Sequence, residues 1–192
     1  MTLAEVIAAG GVAVIATDTV YGVCADALDP AAVERLLALK ERPAGKPAAV
    51  AFESVAAALE ALPELGARVR AVVEALLPGP LTLLVPNPAR RFPLAGGELL
   101  GVRVIDGLQA GGRPLLLSSA NVAGGGEARR LADVARTIRD GVDLELDGGE
   151  LPGTPSTVVD LGSFEQDTSW RVVREGAVSG RELLVALLGS LA

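Results

Sequence analysis

Lys40, Arg42 and Lys46 put three cations within seven residues. They lie in Lys40-Glu41-Arg42-Pro43-Ala44-Gly45-Lys46-Pro47, whose two prolines and one glycine hold the backbone out of helix. Of the 17 basic residues in the chain, only Lys40 and Lys46 are lysines. A lysine is a compact, mobile point charge, whereas an arginine is a planar fork that grips two oxygens at once. A loop with both kinds suits an anionic ligand such as a phosphate chain. The same composition also suits a solvated turn, and the loop alone does not choose between them.

Three further stretches carry groups that could serve an anion. Thr17-Asp18-Thr19-Val20-Tyr21-Gly22 follows an apolar run and places hydroxyls at a strand's C-terminal end, where open α/β sheets tend to bind ligands. Arg103 sits inside the apolar run Leu99 to Val104. An arginine there must be paired or face a cleft, because an unpaired buried charge is costly. Ser118-Ser119-Ala120-Asn121 precedes Gly124-Gly125-Gly126. Its hydroxyl and amide groups suit phosphate or ribose oxygens, although Ser, Asn and Gly are also the usual turn residues.

The absences narrow the chemistry. The chain has no histidine and one cysteine, Cys24, so Ser-His-Asp triads, Cys-His dyads, His-based metal sites and thiolate clusters are excluded. An enzyme built from this sequence works by positioning and electrostatics, with at most carboxylate-, lysine- or metal-assisted proton transfer. A net charge of −7 argues against broad, sequence-blind nucleic-acid binding, though a local basic cleft is compatible with it. The lone cysteine and the lack of a signal-peptide pattern predict a cytoplasmic location, and no apolar run has the length of a membrane span.

The elements that must position these residues follow from pattern. Thr2-Leu3-Ala4-Glu5 has capping-box spacing and predicts a helix to about Ala9. Val12 to Ala16 reads as a buried strand. Asp29-Pro30 opens a helix through Val33, Leu36, Leu37 and Leu39, ended by the Lys40–Pro47 loop. Ala48 to Phe52 is a strand, Ser54 caps a helix, and Pro63 begins another that runs to about Leu77. Leu81 to Val85, Leu99 to Val104 and Pro114 to Leu117 are strands, with a short glycine-rich segment from Asp106 to Gly112. Leu131 to Arg139 reads as a helix, Val142 to Leu146 as a strand, and Thr154 to Asp160 as a turn entering a strand. Trp170 to Arg174 is a further strand, and the capping box at Ser179 opens a last helix to about Leu188. Half the residues are hydrophobic and only 3% aromatic, so the core is aliphatic. Interleaved strands and helices predict one α/β domain over residues 1–192, an open twisted mixed sheet with flanking helices.

Five motifs in order carry a resemblance: Thr17 to Gly22, Lys40-Glu41-Arg42-Pro43, Pro78-Gly79-Pro80-Leu81-Thr82, Ser119-Ala120-Asn121 and Ser156-Thr157-Val158-Val159-Asp160. Together the sequence resembles the YrdC/TsaC family of threonylcarbamoyl-AMP synthases, in its short single-domain form. The resemblance implies a YrdC-like sheet around a positively lined cavity. It also implies a reaction in which L-threonine, bicarbonate and ATP give threonylcarbamoyl-AMP, pyrophosphate and water. Partner proteins would then pass the threonylcarbamoyl group to tRNA, and direct tRNA contact is a further expectation. Position by position, it implies that Lys40 and Arg42 face the ATP phosphates as the catalytic pair, with Lys46 beside them. Ser119, Asn121 and Arg174 are implied at the nucleotide, and Thr17, Tyr21, Arg103 and Ser156 at the amino-acid substrate. Magnesium is expected to arrive with ATP and to keep mostly water and phosphate ligands. Asp18 and Asp26 are weighed as its protein ligands against a reading as solvated turn acids.

The chain departs from the family pattern in three places. The segment between Arg103 and Ser119 is short, leaving its helix nearly absent. Leu77 stands where many members carry an aromatic, and Glu175 where many carry proline. The competing functions are a double-stranded RNA or tRNA-binding module, a carbamoyl-transfer relative and an inactive homologue.

Overall fold

The computed structural model describes residues 1–41, 48–92, 94–121, 125–183 and 185. Helix α1 (Leu3–Ala8) starts in the expected reciprocal cap: Thr2 Oγ1 accepts the Glu5 N–H at 3.3 Å, and Glu5 Oε2 accepts the Thr2 N–H at 2.8 Å. Strands β1 (Ala13–Ile15) and β2 (Gly22–Asp26) flank the Thr17 turn. Helix α2 (Pro30–Leu39) is capped by Asp29, which accepts the N–H groups of Ala31 and Ala32. Then follow β3 (Ala49–Phe52), α3 (Val55–Ala61) under its Ser54 cap, α4 (Ala67–Leu76), β4 (Leu81–Pro86), β5 (Leu99–Val104) and β6 (Leu115–Ser119). A 3₁₀ turn (Leu131–Asp133), α5 (Arg136–Arg139), β7 (Leu144–Glu145), β8 (Thr157–Asp160), α6 (Phe164–Asp167) and β9 (Arg171–Arg174) complete the described elements. At Ser179 the second capping box forms as read, with the hydroxyl and N–H both on Glu182.

Among the described residues the strands form one mixed sheet in the order β7-β1-β2-β6-β3-β5-β4-β8-β9. The β1/β7, β3/β5 and β4/β8 pairs are parallel, and the rest are antiparallel. The expected α/β class and mixed sheet are therefore the observed ones.

Four local expectations need correction. Strand β2 is not separable from the preceding turn in the sequence; its five residues are all buried and mostly small, so no alternation marks it. Helix α4 begins at Ala67 rather than Pro63, because its N-terminus is satisfied from a distance. Glu165 Oε2 accepts the Val69 N–H at 3.1 Å, and Gly66 leaves room for that carboxylate. The single helix expected over Leu131 to Arg139 is two short pieces. Extended backbone at Val134 and Ala135 separates them, and Val134 turns into the core. Helix α6, which follows Ser163, was not expected.

The sheet's two faces are covered unequally. Val14, Val23, Val50, Val102, Leu83 and Leu116 point to the larger core, under residues from α2 to α6. The alternating positions Ala13, Ile15, Cys24, Ala51, Leu115 and Leu117 form a smaller cluster with Leu3 and Ile7 of α1 and with Ile105, Leu108 and Ala110. The short segment after β5 contains no helix; it is tied down where Glu53 accepts the N–H groups of Ala110 and Gly112. This second layer covers β1, β2 and β6, and the face of β3, β5, β4 and β8 beside it is left for the site.

Cys24 lies in this second layer with no exposed surface, and burial pushes its thiol up to about 12. The expected outcome is that a thiol reagent at mildly alkaline pH fails to label the folded protein and labels one cysteine per chain in guanidinium chloride. Native-state labelling at the unfolded rate would contradict the packing of β2.

Candidate active site

On the second face, alternation along β4 and β5 sets core positions against cavity positions. Leu81, Leu83 and Val85 enter the core, while Thr82 and Leu84 line the cavity. Leu100, Val102 and Val104 enter the core, while Gly101 and Arg103 line the cavity. The cavity is about 240 Å³, and Gly101 forms part of its floor, opposite Ala49 of β3. A Cβ on Gly101 would stand 3.2 Å from both the Ala49 Cα and the Thr82 Cγ2. Thr17, Thr19, Ser119, Glu127, Ser156 and Arg174 complete the polar wall.

Arg103 is at once paired and turned to the cleft. Its side chain is 7% exposed. Nη2 donates to Asp18 Oδ1 and, at 3.3 Å, to Thr19 Oγ1, while Nε is buried without a hydrogen-bonding partner. Burial is the larger influence on both charges. It holds the Asp18 carboxyl above its ordinary value against the pull of Arg103, and it lowers Arg103 against the support of Asp18.

The Thr17 turn is self-contained. Thr17 Oγ1 donates to the Val20 carbonyl at 2.7 Å, accepts the N–H groups of Thr19 and Val20, and meets Thr19 Oγ1 at 3.0 Å. It lines the cavity and fixes the backbone beneath Arg103. On the opposite wall Ser156 Oγ meets Thr82 Oγ1 at 2.8 Å. The Ser156 carbonyl accepts Nε and Nη2 of Arg174, which holds that exposed guanidinium across β8 and β9 at the cavity rim.

Lys40 caps the C-terminus of α2 and is buried. Its ammonium donates to the carbonyls of Ser119 and Asn121 and, at 3.1 Å, to Asn121 Oδ1. Ser119 Oγ donates to the same Asn121 Oδ1 at 2.8 Å, and Asn121 Nδ2 donates to the Gly125 carbonyl. The Lys-x-Arg and Ser-x-Asn stretches therefore meet through Lys40. Arg42 and Lys46 lie outside the described residues.

Tyr21 is not at the cavity. It is fully buried on the core face, and its hydroxyl donates to Asp147 Oδ1 and the Gly149 carbonyl and accepts the Gly148 N–H. Its phenol is raised by burial first and by Asp147 second. Asp18 is an exposed turn acid that pairs with Arg103, whereas Asp26 is not solvated: it is buried against Arg113 at 2.6 Å. Among the described residues no three acidic, histidine or cysteine side chains gather as a metal site, so none is assigned to magnesium. Sequence reasoning assigned no role to Thr19, Thr82 or Glu127. Thr82 shares the cavity-facing alternation of Arg103 and was legible in that pattern. Glu127 follows a glycine run and carried no signal.

A mixed sheet with one face left partly open, floored by small residues and walled by arginines, hydroxyl turns and Glu127, defines an α/β protein with a polar cavity on that face. The chain belongs to the Sua5/YciO/YrdC family, whose model, described as "Telomere recombination", matches residues 5–176. A threonylcarbamoyl-AMP synthase of Chromohalobacter salexigens is 39% identical over 176 residues, covering 85% of this chain and 94% of its own length. The threonylcarbamoyl-AMP synthase of Pyrococcus abyssi is 32% identical over 157 residues, covering 76% of this chain and 45% of its own. The crystal structure of P. abyssi Sua5 complexed with L-threonine superposes with a TM-score of 0.81 at 28% identity, covering 95% of this chain and 55% of that one. The chain thus spans about half the length of the P. abyssi protein and nearly all of the C. salexigens one.

Tyr21→Phe removes the three hydrogen bonds from its hydroxyl to the 147–149 turn, at a residue that does not itself line the cavity. The expected cost is about 1–2 kcal/mol of stability, read as a lower urea midpoint, with ligand affinity unchanged. A variant of full stability that loses ligand affinity would return Tyr21 to the site.

Proposed function

We propose that this chain is a threonylcarbamoyl-AMP synthase, acting as one domain in the cytoplasm. It would condense L-threonine, bicarbonate and ATP to threonylcarbamoyl-AMP, pyrophosphate and water. What carries this reading is the meeting of the Thr17 turn, Arg103, Ser119, Ser156 and Arg174 around one cavity in a chain whose relatives bear that name. The threonine-bound P. abyssi structure supports an amino acid as one occupant.

The threonine amine adds to bicarbonate with loss of water, and the resulting carbamate oxygen attacks the α-phosphorus of ATP, expelling pyrophosphate. No protein nucleophile or histidine is needed, in keeping with a chain that has no histidine. The protein's task is to hold three anions together and to stabilise charge on the phosphates. Arg103 would receive the threonine carboxylate. The hydroxyl turns at Thr17 and Ser156 would shape the space around the side chain. Ser119 and Asn121, braced by Lys40, would meet the nucleotide from one side and Arg174 from the other. Lys40, Arg42 and Lys46 would supply charge along the phosphates, with magnesium accompanying ATP on water and phosphate ligands. Among the described residues no helix is long and apolar enough to cross a membrane. A tRNA is the expected eventual acceptor, reached through partner proteins or directly.

Incubation with ATP, L-threonine, bicarbonate and magnesium is expected to give the threonylcarbamoyl adenylate by mass spectrometry and threonine-dependent pyrophosphate. Absence of both sinks the enzyme reading, and tRNA binding without turnover would then favour an RNA-binding module. Lys40→Ala is expected to lower kcat by roughly 100-fold, with circular dichroism showing a retained fold. Wild-type turnover in that variant would remove the lysine from the reaction.

A further inference from the structure

Four buried side-chain polar atoms among the described residues lack a hydrogen-bonding partner: Glu64 Oε1, Asn87 Oδ1, Arg103 Nε and Glu127 Oε2. Two of these four belong to residues that line the same cavity, and those two are opposite in charge. A buried carboxylate oxygen or guanidinium N–H left unpaired carries a desolvation cost that a ligand would relieve. Arg103 keeps Nη2 on Asp18 and Thr19 and leaves Nε open. Glu127 precedes Ala128, whose carbonyl accepts the Tyr21 N–H at 2.9 Å, so its backbone is tied to the start of β2. Arg103 lies on β5, whereas the backbone after Glu127 is tied beside the start of β2, so the two side chains enter the cavity from different walls.

The geometry points to Glu127 as the residue that receives the ammonium group of the amino-acid substrate, opposite Arg103 on its carboxylate. This rests on the proposed amino-acid occupancy of the cavity and adds a residue to it. An α-amino acid presents the two complementary charges on neighbouring carbons. A charge-assisted contact at each end would hold that pair of charges between the two walls. The other ligands of the proposed reaction are anions, which a carboxylate repels. Magnesium is the remaining cation, but no group of three or more acidic or other metal-ligating side chains includes Glu127 among the described residues. Asp18, the nearest acid to Arg103, is already committed to it. In this role Glu127 is a specificity-determining residue: it selects an amino acid over the matching hydroxy acid.

The test is calorimetric titration of the full chain in metal-free buffer with L-threonine and with 3-hydroxybutanoate, which keeps the carboxylate, hydroxyl and methyl group but lacks the amine. Glu127→Gln is expected to weaken L-threonine binding about 10-fold or more and to leave 3-hydroxybutanoate binding unchanged or improved. Glu127→Asp, which keeps the charge on a shorter arm, is expected to recover part of the loss. Arg103→Gln is expected to weaken both ligands. Thermal melts of each variant separate a folding defect from a lost contact. Equal weakening of both ligands by Glu127→Gln, no weakening at all, or a loss seen only when magnesium and ATP are added overturns the inference. A wild-type protein that binds L-threonine but makes no adenylate overturns the synthase reading and leaves this inference standing. One that binds no amino acid overturns both.

Discussion

The ion pair between Arg103 and Asp18 is the constraint around which the sheet is arranged. A guanidinium in the middle of a sheet is tolerable only if its charge is met and its remaining donors are turned to a polar space. Asp18 meets the charge from the turn that leaves β1, and the cavity supplies the space. The two residues are 85 apart in the chain, so the pair fixes the Thr17 turn over β5 from across the sheet. The turn's own hydrogen bonds, from Thr17 Oγ1 to Val20 and Thr19, keep Asp18 where the guanidinium needs it. Burial works against both charges and their attraction works for them. Such a pair adds little net stability, but loss of Asp18 would leave the buried Arg103 guanidinium with its charge unmet. It therefore specifies arrangement more than it strengthens the fold.

The cavity exists because the sheet's second face is only partly covered. Helices α2 to α6 contribute to the larger core on one side, whereas α1 and the helix-free segment after β5 cover β1, β2 and β6 on the other. Where that cover stops, the inward positions include Ala49, Gly101, Thr82 and Arg103. Small residues lower the floor, and hydroxyls and charges line it, while the alternate positions of the same strands remain aliphatic. One period-2 pattern thus builds core and site from the same strands. Without histidine, the chain is left with this placement of fixed charges and dipoles as its means of catalysis.

Much of the architecture was legible because local chemistry announced it. Thr2, Asp29, Ser54 and Ser179 cap helices through their own side chains, and each start was readable from a few residues. Strands β3, β4 and β5 carry branched residues bounded by turns. What was not legible depends on partners distant in the chain. Helix α4 draws its cap from Glu165, about a hundred residues away, and β2 is held by β1 and β6 rather than by any pattern of its own. Tyr21 illustrates the same limit at the site. A lone tyrosine beside a hydroxyl turn suits a ligand contact, yet its ring turns to the core and its hydroxyl closes the 147–149 turn. Arg103 was legible because a charge inside an apolar strand has few tolerable explanations. Glu127 was not, because nothing in a glutamate after three glycines says which way it faces.

On the synthase reading, the mixed charge of the cavity bears on how three anionic substrates would share it. A uniformly positive lining would hold phosphate, bicarbonate and carboxylate without ordering them, since each could occupy any cation. The described lining instead pairs Arg103 with Asp18, leaves Arg174 exposed at the rim against the Ser156 carbonyl, and includes the Glu127 carboxylate. Coulomb repulsion from that carboxylate is strongest where water is excluded. It disfavours the phosphate chain beside Glu127 and favours there a group bearing a positive charge. Lys40, bound to the Ser119 and Asn121 carbonyls at the end of β6, adds a positive charge behind Ser119. Separation of charge along the cavity, rather than its total, is what can set an amino acid at one end and a nucleotide at the other, with the reacting atoms between them.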